Sequence, residues 1–245
     1  MILYNPELKI FSSTLINDNH YFSGNSDKSL GDARQADNIM NFFTNNSVNY
    51  SSLVILSQIH STNIDILRGQ ITADKIRNIE DTDGVITSIK GIILSIRNAD
   101  CLPLIFVDKT TGYIGISHQG WRGSLKKMAI KMVDTFLSLG SKAGDLICSL
   151  GPAIGSCCYD IDDERYYNFL EEFNGYSDRI FSRKKGRWHL NLALLNYLQL
   201  INIGVKKEKI DFFPFCTKCD KNRFFSRRRS KSSDFAEMFN FVMKV

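Results

Sequence analysis

Short apolar runs recur along this 245-residue chain, and their length constrains its fold more than any other feature. Most runs have four to six residues and are bounded by turn-forming residues, a pattern typical of buried β-strands rather than helices. The turn at residues 108–112 also predicts a hairpin between the runs on either side of it. We predict strands at residues 53–56, 85–86, 91–96, 104–107, 113–117, 146–150 and 210–213.

Four other segments space their apolar residues by three and four positions, which predicts helices at 33–45, 124–139, 164–173 and 190–203. The clearest is 124–139, with Ser124 as its expected N-cap and Gly140 as its expected stop. Strands and helices alternate irregularly along the chain. We therefore expect an α/β (α+β) fold in which mixed β-sheets are sandwiched between helices.

Length and composition favour a single domain over residues 1–245. The hydrophobic content of 43% supports a substantial core. The start of the sequence lacks the basic and apolar segments of a secretory signal, and no apolar run is long enough to span a membrane. We therefore expect a cytoplasmic protein whose six cysteines are reduced.

Two of the four histidines and one of the six cysteines lie at the edges of apolar runs. His60, Cys101 and His118 are 41 and 17 positions apart, which is not the close spacing of a zinc finger. Two imidazoles and a thiolate supply three of the four ligands of tetrahedral zinc, and catalytic zinc keeps its fourth position for water or substrate. The sequence thus predicts a metal centre built from separate strand ends; ordinary hydrogen-bonded histidines are the alternative.

The remaining cysteines offer a second candidate metal site. Cys216 and Cys219 form a C-x-x-C motif, for which only the adjacent pair Cys157 and Cys158 could complete a zinc tetrahedron. Adjacent side chains of an extended strand point to opposite faces. We therefore predict buried thiols without a metal here, with a structural zinc site as the alternative, and place Cys148 in the core.

Other enzyme classes remain open from the residues alone. Cys101 could serve as the nucleophile of a metal-free cysteine hydrolase, with His60 or His118 as its base. A multicopper oxidase needs more histidines than the four present, although a single copper ion could occupy the same site. A non-enzymatic interaction protein is a further interpretation.

The order of these blocks resembles the laccase-domain family, also called the polyphenol oxidase or YfiH-like purine nucleoside phosphorylase family. The similarity covers about residues 55–229, which is most of the chain. The motifs that carry it are Gln58-Ile59-His60, Thr82-Asp83-Gly84, Ala99-Asp100-Cys101-x-Pro103, His118-x-Gly120-Trp121-Arg122-Gly123, Gly151-Pro152-x-Ile154-Gly155-x-Cys157-Cys158-Tyr159, Cys216-Thr217 and Asn222-Arg223-Phe224-Phe225-Ser226.

The resemblance implies one YfiH-like layered domain with a mononuclear zinc ion held by His60, Cys101 and His118. Copper is the alternative metal, since an older description of the family is copper-dependent phenol oxidation. The resemblance also implies small-molecule partners, namely purine nucleosides and phosphate. The expected reactions are phosphorolysis of adenosine, inosine and methylthioadenosine, and hydrolytic deamination of adenosine, by a monomer or small homo-oligomer.

Roles for the surrounding residues follow from the same motifs. Asp83 and Asp100 are the carboxylates nearest the metal ligands in sequence, and we expect one of them to move a proton unless it caps a turn instead. We expect the substrate and phosphate to be held by polar and charged side chains near these motifs, because charged donors make short, strong hydrogen bonds to anions. These candidates are Gln58, Arg122, Arg223 and Arg228.

The chain departs from the family pattern near the expected anion site. Members of the family usually have an arginine in the segment that matches residues 20–29, and this chain has none there. Arg227 stands where the family has an aromatic residue, and Ser232-Ser233-Asp234 stands where it has Thr-Gly-Arg. The net charge of +5 owes much to a C-terminal basic cluster, which we interpret as a solvated face rather than a nucleic-acid site. The cluster comprises Lys218, Lys221, Arg223, Arg227, Arg228, Arg229 and Lys231.

Overall fold

The computed structural model describes residues 1–69, 75–230 and 232–245, and these contain sixteen strands and six α-helices. The strands are β1 (Ile2–Asn5), β2 (Ile10–Ser13), β3 (Tyr21–Ser26), β4 (Ser52–Leu56), β5 (Ile64–Leu67), β6 (Ile76–Ile79), β7 (Gly84–Thr87), β8 (Ile92–Asn98), β9 (Leu102–Val107), β10 (Ile114–Gln119), β11 (Ile147–Leu150), β12 (Asp160–Ile161), β13 (Phe181–Lys184), β14 (Arg187–Leu190), β15 (Ile210–Phe212) and β16 (Met238–Lys244). The helices are α1 (Ala36–Asn45), α2 (Trp121–Leu125), α3 (Met128–Ser138), α4 (Asp163–Glu172), α5 (Ser177–Ile180) and α6 (Leu192–Asn202).

Two large mixed sheets organise these elements. The first has the strand order β1-β2-β3-β16-β8-β4-β6, and the second has the order β15-β11-β9-β10-β7-β5. The predicted hairpin is confirmed, because β9 and β10 pair antiparallel with Ile105 opposite Ile116. A third, three-stranded sheet of order β12-β14-β13 lies beside them.

The apolar runs are continuous because both faces of the central strands are buried. In β4, Val54 and Leu56 pack in the aliphatic cluster shared by the two large sheets. Leu53 and Ile55 alternate with them and pack against the helix on the other face. Strands buried on both faces carry no polar alternation, which explains why these runs read as strands without a period of two.

Helices cover the outer faces of both large sheets. Helix α1 packs Ile39, Phe42 and Phe43 onto the seven-stranded sheet. Helix α3 packs Met132 and Phe136 onto the six-stranded sheet, with α6 beside it. The layers therefore run helix, sheet, sheet, helix, which confirms the predicted α/β fold with mixed sheets sandwiched between helices.

The single helix predicted at 124–139 is wrong: the chain forms α2 and α3 with a break between them. At the break Lys127 adopts a left-handed backbone conformation with φ of 59°. Ser124 lies inside α2, where its side chain accepts from Asn196, and does not cap a helix. The two short helices pack in different hydrophobic clusters. Leu125 of α2 packs beside the three-stranded sheet, and Met128 of α3 packs on the six-stranded sheet.

Within residues 1–69, 75–230 and 232–245, the helices lack the length and continuous apolar surface that spanning a bilayer requires.

Substitution of Phe43 tests the outer α1 layer. Phe43 is fully buried among aromatic residues, so Phe43→Ala should lower the free energy of unfolding by about 3–5 kcal/mol. Tyr167 is 63% exposed on α4, and Tyr167→Ala should change it by less than about 0.5 kcal/mol. Urea denaturation of both variants checks this, and equal effects would contradict the described packing.

Candidate metal centre

Three chain segments meet where the ends of the two large sheets approach each other. His60 lies in the loop after β4, and Cys101 lies where the chain crosses from β8 in the first sheet to β9 in the second. His118 is buried within β10, next to β9. The two sheets thus supply the three predicted metal ligands from separate strands, as the spacing requires.

The three ligand atoms are spaced for one ion. They all lie within 4.8 Å of one another, and Sγ of Cys101 is 3.7 Å from Nε2 of His60. A tetrahedral zinc ion would hold a sulfur and a nitrogen about 3.6 Å apart. His118 is buried, whereas His60 and Cys101 are partly exposed, so the centre is reachable from solvent.

Gly120 leaves the space that these ligands occupy. A Cβ at this position would lie 2.6 Å from Cδ2 of His60, 3.4 Å from Sγ of Cys101 and 3.5 Å from Cε1 of His118. Only glycine therefore lets the start of α2 pass so close to all three side chains. The donor set of two imidazoles and one thiolate, together with this cradle, fits a zinc ion.

The Asp83 carboxylate fixes two of the ligands. Nδ1 of His118 lies 2.8 Å from Oδ1 of Asp83, and a carboxylate only accepts, so Nδ1 donates and Nε2 is left to face a metal. The backbone N–H groups of Ile59, His60 and Ser61 donate to the same carboxylate at 3.2, 3.1 and 2.7 Å. These bonds hold His60 in a left-handed backbone conformation with φ of 61°.

Charges in the centre favour a thiolate. Burial would raise the pKa of Cys101, but the charge of His118 and hydrogen bonds from both histidines lower it to about 6. Burial likewise opposes the charge of His118, yet Cys101 and Asp83 raise its pKa. Hydrogen bonds from His118 and Ser61 outweigh burial and keep the pKa of Asp83 below its usual value. A thiolate is the form of cysteine that binds metal.

Asp100 connects the centre to the C-terminal segment. Its backbone φ is 93°, and its carboxylate accepts from Oγ1 of Thr217 at 2.6 Å, Oγ of Ser226 at 3.0 Å and the backbone N–H of Arg228 at 2.7 Å. Asn98, just before it, donates to the carbonyls of Cys101 and Pro152. The loop that carries Cys101 is therefore held from both sides.

Gln58, which is predicted to bind substrate, directs its amide at the backbone of Arg97. Its Nε2 donates to the carbonyl of Arg97 at 2.8 Å, and its Oε1 accepts from the backbone N–H of Arg97 at 2.8 Å. Both polar atoms of the amide are thus used on the end of β8. The position of Gln58 supports the loop that carries His60.

The three predicted anion-binding arginines differ in their partners. Arg223 is paired with Asp220, and Arg228 is paired with Asp160. Arg122 is exposed and lies over the Trp121 ring, with Cζ 4.5 Å from its centroid. In the described part of the chain Arg122 has no carboxylate partner, so its charge is available to a ligand.

The predicted basic cluster is partly used inside the molecule. Arg229 donates from Nη1 to the carbonyls of Thr217 and Lys218 at 2.8 and 2.9 Å. Lys231 lies outside the described residues. Arg223 and Arg228 also bind carboxylates of the protein, so three of the basic residues make contacts within the molecule.

Sequence reasoning missed Glu237, which lies just before β16. Burial raises its pKa, while the charges of Arg97, 3.8 Å away, and of His118 oppose that rise. Glu237 is therefore a carboxyl group within electrostatic reach of the metal centre. A lone acidic residue at the start of a mostly apolar strand is the signal that marks it.

The structure also brings together four cysteines, which we call the four-cysteine cluster: Cys157, Cys158, Cys216 and Cys219. Their sulfur atoms all lie within 4.8 Å of one another. The prediction of buried thiols is wrong, because Cys157 and Cys219 are exposed. The chain turns here, with the N–H of Cys158 donating to the carbonyl of Gly155 at 2.9 Å, so adjacent side chains need not diverge.

The profile of the family described as multi-copper polyphenol oxidoreductase laccase matches residues 14–244. The chain belongs to this family. Among its relatives, purine nucleoside phosphorylase RP494 from Rickettsia prowazekii is 32% identical over 203 residues, which cover 82% of this chain and 80% of the relative. Adenosine deaminase RL5, from an unknown prokaryotic organism, is 28% identical over 187 residues, which cover 74% of this chain and 71% of the relative.

Solved structures share the fold. Hypothetical protein YfiH from Bacillus licheniformis matches with a TM-score of 0.84 at 26% identity, covering 92% of this chain and 93% of that one. YlmD from Geobacillus stearothermophilus matches with a TM-score of 0.84 at 24% identity, covering 96% of each chain. These matches confirm the YfiH-like layered architecture.

Substitution of Gly120 tests the cradle. A methyl group would force His60 away from Cys101, so Gly120→Ala should weaken zinc binding at this centre by at least about 10-fold, the lower end of the losses seen when ligand orientation is disturbed. Competition with a chelator measures this affinity. Gly175→Ala is the control, because a Cβ there would meet nothing within 4 Å. Unchanged affinity in Gly120→Ala would contradict the described ligand geometry.

Proposed function

We propose that this chain is a zinc-dependent purine nucleoside enzyme. The proposed reactions are phosphorolysis of adenosine, inosine and methylthioadenosine, and hydrolytic deamination of adenosine. The observation that carries the proposal is the convergence of His60, Cys101 and His118 in a centre reachable from solvent. The purine nucleoside names of the relatives support the substrate class.

The metal and the protein have separate tasks in this proposal. A zinc ion bound by His60, Cys101 and His118 supplies Lewis-acid polarisation of a substrate or water oxygen. The protein lowers the pKa of Cys101 towards the thiolate, and the hydrogen bond from Nδ1 of His118 to Asp83 leaves Nε2 as the ring atom that faces the metal. Three protein ligands leave room for the reacting group.

The predicted proton-transfer roles of Asp83 and Asp100 are revised in this proposal. Each carboxylate already accepts at least three hydrogen bonds from the protein. Asp83 then acts as a positioning residue for His60 and His118, and Asp100 as a positioning residue for the Cys101 loop. Glu237 is the carboxyl group that we assign to proton transfer, because it precedes β16, which pairs with the end of β8 next to Cys101, and its carboxylate lies 3.8 Å from Arg97.

Phosphate binding falls to Arg122 in this proposal. It follows the Gly120 cradle by two positions and has no carboxylate partner among the described residues. Arg223 and Arg228 instead form ion pairs with Asp220 and Asp160, respectively. A guanidinium without an internal partner can make the charge-assisted bonds that a phosphate requires.

Loss of a ligand should remove both metal and activity. Cys101→Ala and His118→Ala should each lower the zinc content by one equivalent per chain and abolish nucleoside turnover, while circular dichroism shows the fold retained. Zinc-loaded protein is incubated with adenosine, with and without phosphate, and the products are resolved by chromatography. Adenine reports phosphorolysis, and inosine reports deamination.

Three outcomes of that experiment contradict the proposal in different ways. Activity in metal-free protein that thiol alkylation abolishes would favour a cysteine hydrolase using Cys101. Turnover of phenols with copper, and not of nucleosides with zinc, would favour an oxidoreductase. Zinc-loaded protein that turns over neither would indicate a non-enzymatic role.

Substitution of Arg122 separates the two proposed reactions. Arg122→Ala should raise the KM for phosphate by about 10- to 100-fold, the worth of hydrogen bonds to a charged group, and leave phosphate-independent deamination unchanged. Arg77→Ala, on the exposed face of strand β6, removes the same charge elsewhere and should change neither reaction. Equal loss of both reactions in Arg122→Ala would contradict a role in phosphate binding.

A further inference from the structure

We propose that the four-cysteine cluster binds a second zinc ion with a structural role. The cluster shares no residue with the His60, Cys101 and His118 centre, and the proposed nucleoside chemistry does not use it. The inference therefore stands independently of the proposed function.

The sulfur spacing matches a metal tetrahedron and not a disulfide. Sγ of Cys219 lies 3.5 Å from Sγ of Cys157 and 3.4 Å from Sγ of Cys158. Four sulfurs around one zinc ion, each about 2.3 Å from it, stand about 3.8 Å apart. A disulfide would place two sulfurs at about 2.05 Å.

Two turns present the four sulfurs toward one point. The first turn closes where the N–H groups of Cys158 and Tyr159 donate to the carbonyl of Gly155. The second closes where the N–H of Asp220 donates to the carbonyl of Cys216 at 3.0 Å. Each turn carries two cysteines, so each supplies half of a tetrahedral ligand set, as in structural zinc sites built from paired cysteines.

The backbone already pairs the two turns. Ala153 and Cys216 form an isolated parallel bridge, and the N–H of Thr217 donates to the carbonyl of Ala153 at 3.0 Å. The N–H of Gly155 donates to Sγ of Cys216 at 3.2 Å, which favours the thiolate that a metal needs. A Cβ on Gly155 would lie 3.2 Å from Cβ of Cys216, so a glycine permits this close approach.

Positive charge lies beside the cluster. Four thiolates around a divalent ion carry a net charge of about −2, which must be balanced nearby. Arg229 donates from Nη1 to the carbonyls of Thr217 and Lys218, the two residues between the cysteines of the C-x-x-C motif. Arg229 thus supplies charge to the turn that it also holds.

The ion would stabilise the segment that supports the first metal centre. Thr217 follows Cys216 directly, and its hydroxyl donates to the Asp100 carboxylate at 2.6 Å. Ile154, on the other strand of the bridge, donates its N–H to the carbonyl of Asp100 at 2.9 Å. Fixing the two turns together therefore fixes both contacts on the residue next to Cys101.

Zinc is the ion that this ligand set favours. Tetrahedral sites of four thiolates take zinc or iron, and of these zinc needs no redox partner and forms closed structural sites. Iron would give a coloured protein, so the test below distinguishes the two.

Elemental analysis of the full-length protein, purified under reducing and zinc-replete conditions, tests the inference. Wild type should carry two zinc ions per chain, and Cys157→Ser/Cys219→Ser should carry one. Cys101→Ala should also carry one, and Cys148→Ala should keep both, because Cys148 is buried in β11 outside both sites.

X-ray absorption at the zinc edge provides the second measurement. In Cys101→Ala the remaining zinc should be surrounded by four sulfurs at about 2.3 Å. This readout does not require the cluster variant to fold, and it is independent of nucleoside turnover.

Four results would overturn the inference. These are two zinc ions retained in the cluster variant, zinc-free Cys101→Ala, iron in place of zinc, and a zinc-free protein whose mass shows disulfides among the cluster cysteines. A protein that has two zinc ions but no activity on nucleosides would leave this inference standing and contradict the proposed function alone.

Discussion

The buried carboxylate of Asp83 is the contact on which the metal centre depends. It joins the loop after β4, which belongs to the first sheet, to His118 on β10, which belongs to the second. Burying a carboxylate is costly unless hydrogen bonds compensate it, and here donors from both segments do so. The same bonds that offset that cost aim the two imidazoles at one point. Fold stability and ligand geometry are therefore set by the same interaction.

Asp100 plays the corresponding part on the opposite side of Cys101. It gathers side-chain and backbone donors from Thr217, Ser226 and Arg228, all from the C-terminal segment. That segment begins at the four-cysteine cluster, where two turns meet. A second zinc ion there would tie the C-terminal segment to the loop after β11. The two candidate metal sites are thus coupled through the backbone that each one holds.

The sequence predicts most of the fold because strands such as β4 are buried on both faces and leave continuous apolar runs. It fails where distant contacts decide local structure. The break at Lys127 depends on which cluster each half of the predicted helix packs against. Residue chemistry and the family resemblance single out His60, Cys101 and His118 as candidate ligands, but the hydrogen bonds of Asp83 and Gln58 are known only once loops far apart in sequence meet. The prediction for Cys157 and Cys158 assumes an extended chain, whereas the structure has a turn there that brings their sulfur atoms together with those of Cys216 and Cys219.

Anomalous diffraction at the zinc edge from crystals of the wild-type protein shows whether the three side chains hold one ion. We expect a peak at about 2.0–2.3 Å from Nε2 of His60, Sγ of Cys101 and Nε2 of His118, with no fourth protein ligand. A crystal grown with zinc in which these three side chains stay in place without a peak between them would show that they do not form a zinc site.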